Sequence, residues 1–222
     1  MILHDISMAI SGSMPVYKNK EEKKPVLTVT RDFENGDAFE TRLEMDLHTG
    51  THIDLPLHFN PDGDSSEKWD VDGMFTRCMV FDFVDLSADT ISKEDLEQKE
   101  QEMKDAGTIF ARDRTILLKT KNSLKVEFDF SFTYLDKTGA AFLAEKKIAG
   151  VGIDALGIER DQPDHETHKI LLESGIWIIE GLRLGEVPQG EYILAVLPLK
   201  IEEVEALPAR AVLLASGSMP LA

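Results

Sequence analysis

His48-Thr49-Gly50-Thr51-His52-Ile53-Asp54-Leu55-Pro56-Leu57-His58 holds three of the chain's six histidines. His48, His52, Asp54 and His58 share even parity, so in an extended chain they would lie on one face. Parity alone does not build a site. Four strand residues span ~13 Å, too far for His48 and His52 both to reach one ion through bonds of ~2.1 Å. The chain must turn between them, and Gly50 permits a turn. Helical i, i+4 spacing would also bring the two rings together, but Gly50 and Pro56 argue against a helix. The expected arrangement is a strand that ends in a loop wrapped around metal. The bland alternative is a solvated loop with scattered imidazoles, and the economy of the spacing speaks against it. Imidazole and carboxylate donors suit Zn²⁺ or Mn²⁺, and composition does not choose between them. Catalytic sites keep a coordination position open, whereas structural zinc sites are closed. The absence of cysteine ligands favours catalysis.

Upstream of this stretch the chain reads as β. Leu27, Val29, Arg31 and Phe33 alternate with polar residues, and Asn35-Gly36 follows, a dipeptide suited to a tight hairpin. Phe39, Thr41, Leu43, Met45 and Leu47 then alternate with Glu40, Arg42, Glu44, Asp46 and His48. That pattern predicts a strand with its odd face buried and His48 on the polar face.

Downstream, strands and helices are interspersed. Cys78–Val84, Thr115–Leu118, Val151–Asp154, Ile176–Glu180, Tyr192–Leu197 and Ala211–Leu214 read as strands. Ser92-Lys93-Glu94-Asp95 resembles a capping box opening a charged helix that runs to about Ala106. Further helices are expected over Ala140–Lys147 and from about Asp164 to Glu173, the latter stopped at Gly175. The sum is a mixed α/β fold.

The 222 residues suit a single domain over 1–222, with 42% hydrophobic and 29% charged side chains. A formal charge of −17 repels phosphate backbones and anionic lipid, so neither nucleic acid nor a membrane surface is an expected partner. Cys78 is the only cysteine, which excludes an internal disulfide and a cysteine zinc cluster. The N-terminus reads as no signal peptide, and a cytoplasmic location is the expectation.

Glu180 ends an apolar run, Ile176–Ile179. A carboxylate there must be paired, hydrogen-bonded or metal-bound. Pairing with Arg183 is one reading. The other is a second metal position completed by a helical histidine, His165 or His168.

The run His48–His58 matches H-x-G-T-H-x-D-x-P-x-H, and on it the chain resembles the metal-dependent cyclase family, which includes bacterial kynurenine formamidases. The resemblance continues through Val151–Asp154, His168–Ile176, Glu180-Gly181-Leu182 and Pro208–Ala211, almost the whole chain. It implies a mixed sheet of the swivelling β/β/α type and a homo-oligomer. It also implies one or two divalent ions, Zn²⁺ or Mn²⁺. His48, His52 and Asp54 correspond to ligands of the first metal. Asp54 and Glu180 correspond to bridging carboxylates, and His168 to the remaining ligand of the second metal. His58 corresponds to the general acid/base, while His165 falls out of register.

The implied activity is hydrolysis of a small amide or cyclic amide. Metal-activated hydroxide attacks the carbonyl, and His58 passes a proton to the leaving nitrogen. The alternative is a non-enzymatic metal- or metabolite-binding protein of the same fold. One departure stands out. Kynurenine formamidases carry Trp-Pro-Gly-Asp near the N-terminus, where this chain reads Met14-Pro15-Val16-Tyr17-Lys18-Asn19-Lys20. Tyr17 is the expected substrate-contacting aromatic, and N-formylkynurenine is expected to be a poor substrate.

Overall fold

β4, His52–Asp54, is only three residues long, yet it closes the main sheet of this computed structural model. Residues 2–69, 71–107 and 112–215 are described. In chain order the other strands are β1 (Ile2–Asp5), β2 (Val26–Arg31), β3 (Glu40–Glu44), β5 (Phe75–Asp82), β6 (Thr90–Ile91), β7 (Thr115–Lys119), β8 (Tyr134–Leu135), β9 (Gly150–Ile153), β10 (Trp177–Glu180), β11 (Gly190–Pro198) and β12 (Ala206–Ala215). Three helices intervene: α1 (Lys93–Asp105), α2 (Lys137–Lys146) and α3 (Glu166–Glu173). The order in the main sheet is β1-β12-β11-β5-β7-β9-β10-β4. A further pairing of β4 with Ala206–Pro208 of β12 turns seven of these strands into a ring. Pairs among β5, β7, β9 and β10 are parallel, and the other pairs of the sheet are antiparallel. The mixed α/β expectation holds.

Alternation along the strands fills both sides of this barrel. Cys78, Val80, Leu117, Ile179 and Leu194 join one core, with Ile53 and Leu55 from the β4 segment. Their neighbours Met79, Phe81, Ile116, Leu118, Val151 and Ile178 join a second core, which packs against Leu96, Met103, Leu143 and Leu171 of the helices. Burial on both faces explains why β5 and β7 read as apolar runs rather than alternating strands. The helix boundaries follow their caps. Ser92 accepts from the Asp95 amide and Asp95 accepts from the Ser92 amide, a closed capping box. Asp136 caps α2, which starts three residues before the expected Ala140. α3 ends just before Gly175, whose φ is +74°. No helix among the described residues is long and apolar enough to cross a membrane.

The N-terminal hairpin departs from expectation in two ways. β2 and β3 form a separate two-stranded sheet in which every strand residue is exposed, so the odd face is not buried. Nor do Asn35 and Gly36 make a two-residue turn. An eight-residue connection is organised by Asp32, whose carboxylate accepts from the Glu34 and Asn35 amides and from the Asn35 side chain. The strand also stops at Glu44, which leaves His48 in a turn rather than on a strand face.

Candidate metal centre

The expected turn between His48 and His52 is present. Gly50 has φ +72°, and its carbonyl lies 3.0 Å from His52 Nδ1. A proton on Nδ1 then leaves His52 Nε2 as the free donor. His48 Nδ1 is 3.3 Å from that atom. Asp54 Oδ1 is 3.0 Å from His48 Nδ1 and 3.3 Å from His52 Nε2. Gly181, at φ +70°, allows the next strand to approach, since a Cβ there would strike the Gly50 carbonyl.

β10 delivers the next carboxylate, because its antiparallel register sets Glu180 opposite His52. Glu180 Oε2 is 3.6 Å from His52 Nε2, and Oε1 is 3.3 Å from His168 Nε2. His168 rises from α3, 3.6 Å from Asp54 Oδ2. Asp54 therefore turns one oxygen towards His48 and His52 and the other towards His168. Pairing of Glu180 with Arg183 is not what the structure shows. Glu180 instead accepts the Ile158 amide at 2.6 Å.

Asp54 is fully buried, and although His48 Nδ1 lies 3.0 Å from one oxygen, neither oxygen meets a donor in hydrogen-bonding orientation. Left so, they would forfeit the solvation that water gives a carboxylate. His48 Nδ1, His52 Nε2 and Asp54 Oδ1 stand 3.0–3.3 Å apart. Tetrahedral bonds of ~2.1 Å require donors about 3.4 Å apart. The donors present therefore fit a divalent cation. The charges agree. Burial alone would raise the Asp54 carboxyl, but His52, His168 and His48 outweigh it and hold it well below the usual range. Burial disfavours charge on His52, but Asp54 and Glu180 push it up to about 9. A cation entering the cluster must displace such protons.

His58 lies one step out from this set. It ends a 3₁₀ turn, Pro56–His58, and its ring lies against His48 with centroids 4.1 Å apart. Burial lowers its pKa to about 4. Both rings line a cleft of about 690 Å³, together with Tyr17, Phe59, His168 and Glu180. Tyr17 is braced edge-on by Phe128 at 5.3 Å. Burial, then the charges of Glu180, Asp161 and Glu159, raise its pKa and keep it a neutral phenol. Lys18 and Asn19 follow at φ 58° and 51°, so this wall is a left-handed turn. All the expected site residues converge here: His48, His52, Asp54, His168 and Glu180 in the cluster, His58 and Tyr17 along the cleft.

Glu159 was not anticipated. Its buried carboxylate accepts from His168 Nδ1 at 2.6 Å and from His165 Nδ1 at 2.9 Å. Its other oxygen accepts the Thr167 amide at 3.0 Å. The sequence signal was faint, an acidic residue nine positions before the histidine of a helix. Asp154 has no such contact. It takes amide and hydroxyl hydrogens from Thr120 and Ser123 and so fixes the turn after β7. Asn122 also belongs to this scaffold, tied to Thr133.

Carboxylates behind metal-bound histidines typically contribute 10–100-fold in metal affinity. Glu159→Gln should therefore weaken binding about tenfold, read by chelator competition against the unaltered chain. Equal affinity would show that His168 needs no such support.

Imidazole and carboxylate donors grouped in a mixed α/β barrel beside a cleft define a site able to hold a divalent cation. The Cyclase family model matches residues 4–160. Kynurenine formamidase of Salinibacter ruber (strain DSM 13855 / M31) is 30% identical over 96% of this chain and 97% of its own. A predicted metal-dependent hydrolase from Bacillus stearothermophilus is 43% identical, with TM-score 0.82 over 95% of this chain and 96% of that one. Isatin hydrolase A from Labrenzia aggregata, 21% identical, shares the fold with TM-score 0.81 over 96% of this chain and 93% of that one. The chain belongs to the cyclase family.

Proposed function

We propose that this chain is a metal-dependent amidohydrolase of small amides or cyclic amides. The observation that carries the reading is the unpartnered Asp54 carboxylate among His48, His52 and His168, at the edge of a cleft that also holds His58. His48, His52 and Asp54 would hold one ion, Zn²⁺ or Mn²⁺. Asp54, His168 and Glu180 would hold a second. A divalent ion there supplies Lewis acidity towards a carbonyl and brings the ionisation of water towards neutrality. His58, uncharged above about pH 4, takes a proton from the attacking water and returns it to the leaving nitrogen. Tyr17 lines the entrance as a stacking surface and a phenolic hydrogen-bond donor. Glu159 keeps the His168 ring in register.

In place of the Trp-Pro-Gly-Asp stretch this chain has Tyr17 leading into a left-handed turn at Lys18 and Asn19. A panel of N-formylkynurenine, isatin and simple cyclic imides, run with Zn²⁺ and with Mn²⁺, tests the reading. Turnover of a cyclic or small amide is expected, with kcat/KM for N-formylkynurenine below ~10⁴ M⁻¹s⁻¹. A higher value would remove the specificity claim. Metal-loaded protein inactive on amides, lactones and imides would favour the non-enzymatic binding protein.

A further inference from the structure

Glu159 holds two imidazoles, and the metal cluster uses only one of them. His168 Nδ1 and His165 Nδ1 both donate to its Oε1, at 2.6 and 2.9 Å. Its Oε2 accepts the Thr167 amide and Gln162 Nε2, each at 3.0 Å. Four donors on one buried carboxylate make a fixed hub. With a proton on Nδ1, the Nε2 of a neutral imidazole is an acceptor. For His168 that atom turns towards Asp54 and Glu180. For His165 it has no partner among the described residues.

The His165 ring is nonetheless held in place. It lies on Phe59, with centroids 4.7 Å apart and planes 32° apart. Phe59 also touches the rings of His58 and His168, at 4.2 and 4.6 Å. His165 is itself 6.3 Å from His168, centroid to centroid, which keeps it close to the proposed metal centre. Its backbone is left-handed at φ 52°, as is that of Asp161 at 56°. Such angles are uncommon outside glycine. They bend the loop between Glu159 and α3, and His165 lines the cleft with Tyr17 and His58.

We infer that His165 Nε2 accepts the N–H of the substrate, so that the site selects N–H amides, lactams and imides over their N-alkylated counterparts. The inference rests on the amidohydrolase reading above and narrows its substrate class. A small amide brings an acceptor, its carbonyl, and a donor, its N–H. Tyr17 and Lys18 line the cleft with donors that suit a carbonyl. The N–H needs an acceptor, because a donor that leaves water unpaired weakens binding. Glu159 already accepts four hydrogens, and Asp54 and Glu180 are assigned to the ions. Asp161 pairs with Arg160 at 3.4 Å, and its side chain is 87% exposed. The free edge of His165 supplies the lone pair. An alkylated nitrogen would set carbon against it.

Isatin with N-methylisatin, and phthalimide with N-methylphthalimide, are the test pairs, each differing by one methyl group on nitrogen. The wild type should prefer the N–H member in kcat/KM. His165→Phe should reduce that preference about five- to tenfold, the worth of one neutral hydrogen bond. His165→Gln, which keeps a carbonyl oxygen as acceptor, should recover part of it. Were His165 only one more hydrogen on Glu159, its loss would disturb the metal site, slow both members alike and leave the ratio unchanged. A second arm needs no turnover. The unactivated lactams 2-oxindole and N-methyl-2-oxindole are titrated into the metal-loaded protein. The wild type should bind 2-oxindole roughly fivefold tighter than its N-methyl form, and His165→Phe should bind the two alike. A wild type idle on both pairs that still discriminates between the oxindoles would sink the amidohydrolase reading and sustain this one. An unchanged ratio in His165→Phe, or oxindoles that bind the wild type alike or not at all, would overturn it.

Discussion

Asp54→Ala should come out of purification folded and with essentially no bound metal. The two oxygens of Asp54 face different donor groups, His48 and His52 on one side and His168 on the other. One substitution therefore removes an anionic ligand from both proposed ions. It also leaves His52 and His168 facing each other with less negative charge between them, which further disfavours a cation. Elemental analysis after reconstitution with Zn²⁺ or Mn²⁺ is the measurement. Hydrolysis should fall to background in the same sample. Loss of one ion only would show that Asp54 does not bridge, and unchanged metal content would remove it from the ligand set.

His58→Ala should behave in the opposite way, keeping its metal while losing ~10²–10⁴-fold in kcat, the usual contribution of a general acid or base. The contrast has a geometric basis. The donors around Asp54 Oδ1 are spaced at 3.0–3.3 Å. At His58 only a wider bound applies: its donor atom lies within 4.8 Å of those of His48 and Asp54, the bound that also groups His52, Asp54 and Glu180. The His58 ring lies against that of His48 and faces the cleft. If metal content collapses together with activity, His58 is itself a ligand and the proton-transfer role falls.

The site was legible where its logic is local. His48, His52, Asp54 and His58 fall within eleven residues, and the need for a turn at Gly50 follows from strand geometry alone. Glu180 was visible as a carboxylate ending an apolar run, although its partner was not, since the choice between Arg183 and His168 is a matter of tertiary distance. Glu159 stayed hidden for a related reason: burial of one acid among 41 Asp and Glu side chains leaves no local mark. Strands β5, β7, β9 and β10 could be read from apolar runs. β4 could not, because three residues between Gly50 and Pro56 are too few to show a period. The hairpin teaches a narrower lesson. Alternation reports that a strand has one apolar face, but it does not report what covers that face, and among the described residues nothing does.

β4 also sets an order of events for a nascent chain. The strand carrying His52 and Asp54 pairs with β10 and with Ala206–Pro208 of β12, both far downstream. At a ribosomal rate of ~5–20 residues per second, roughly 8–30 s separate the synthesis of Asp54 from that of its last neighbour. During that interval His48, His52 and Asp54 are joined only through the chain, without the neighbouring strands that hold them in place. The proposed metal centre is therefore complete only when the barrel closes, after both downstream neighbours of β4 have been made.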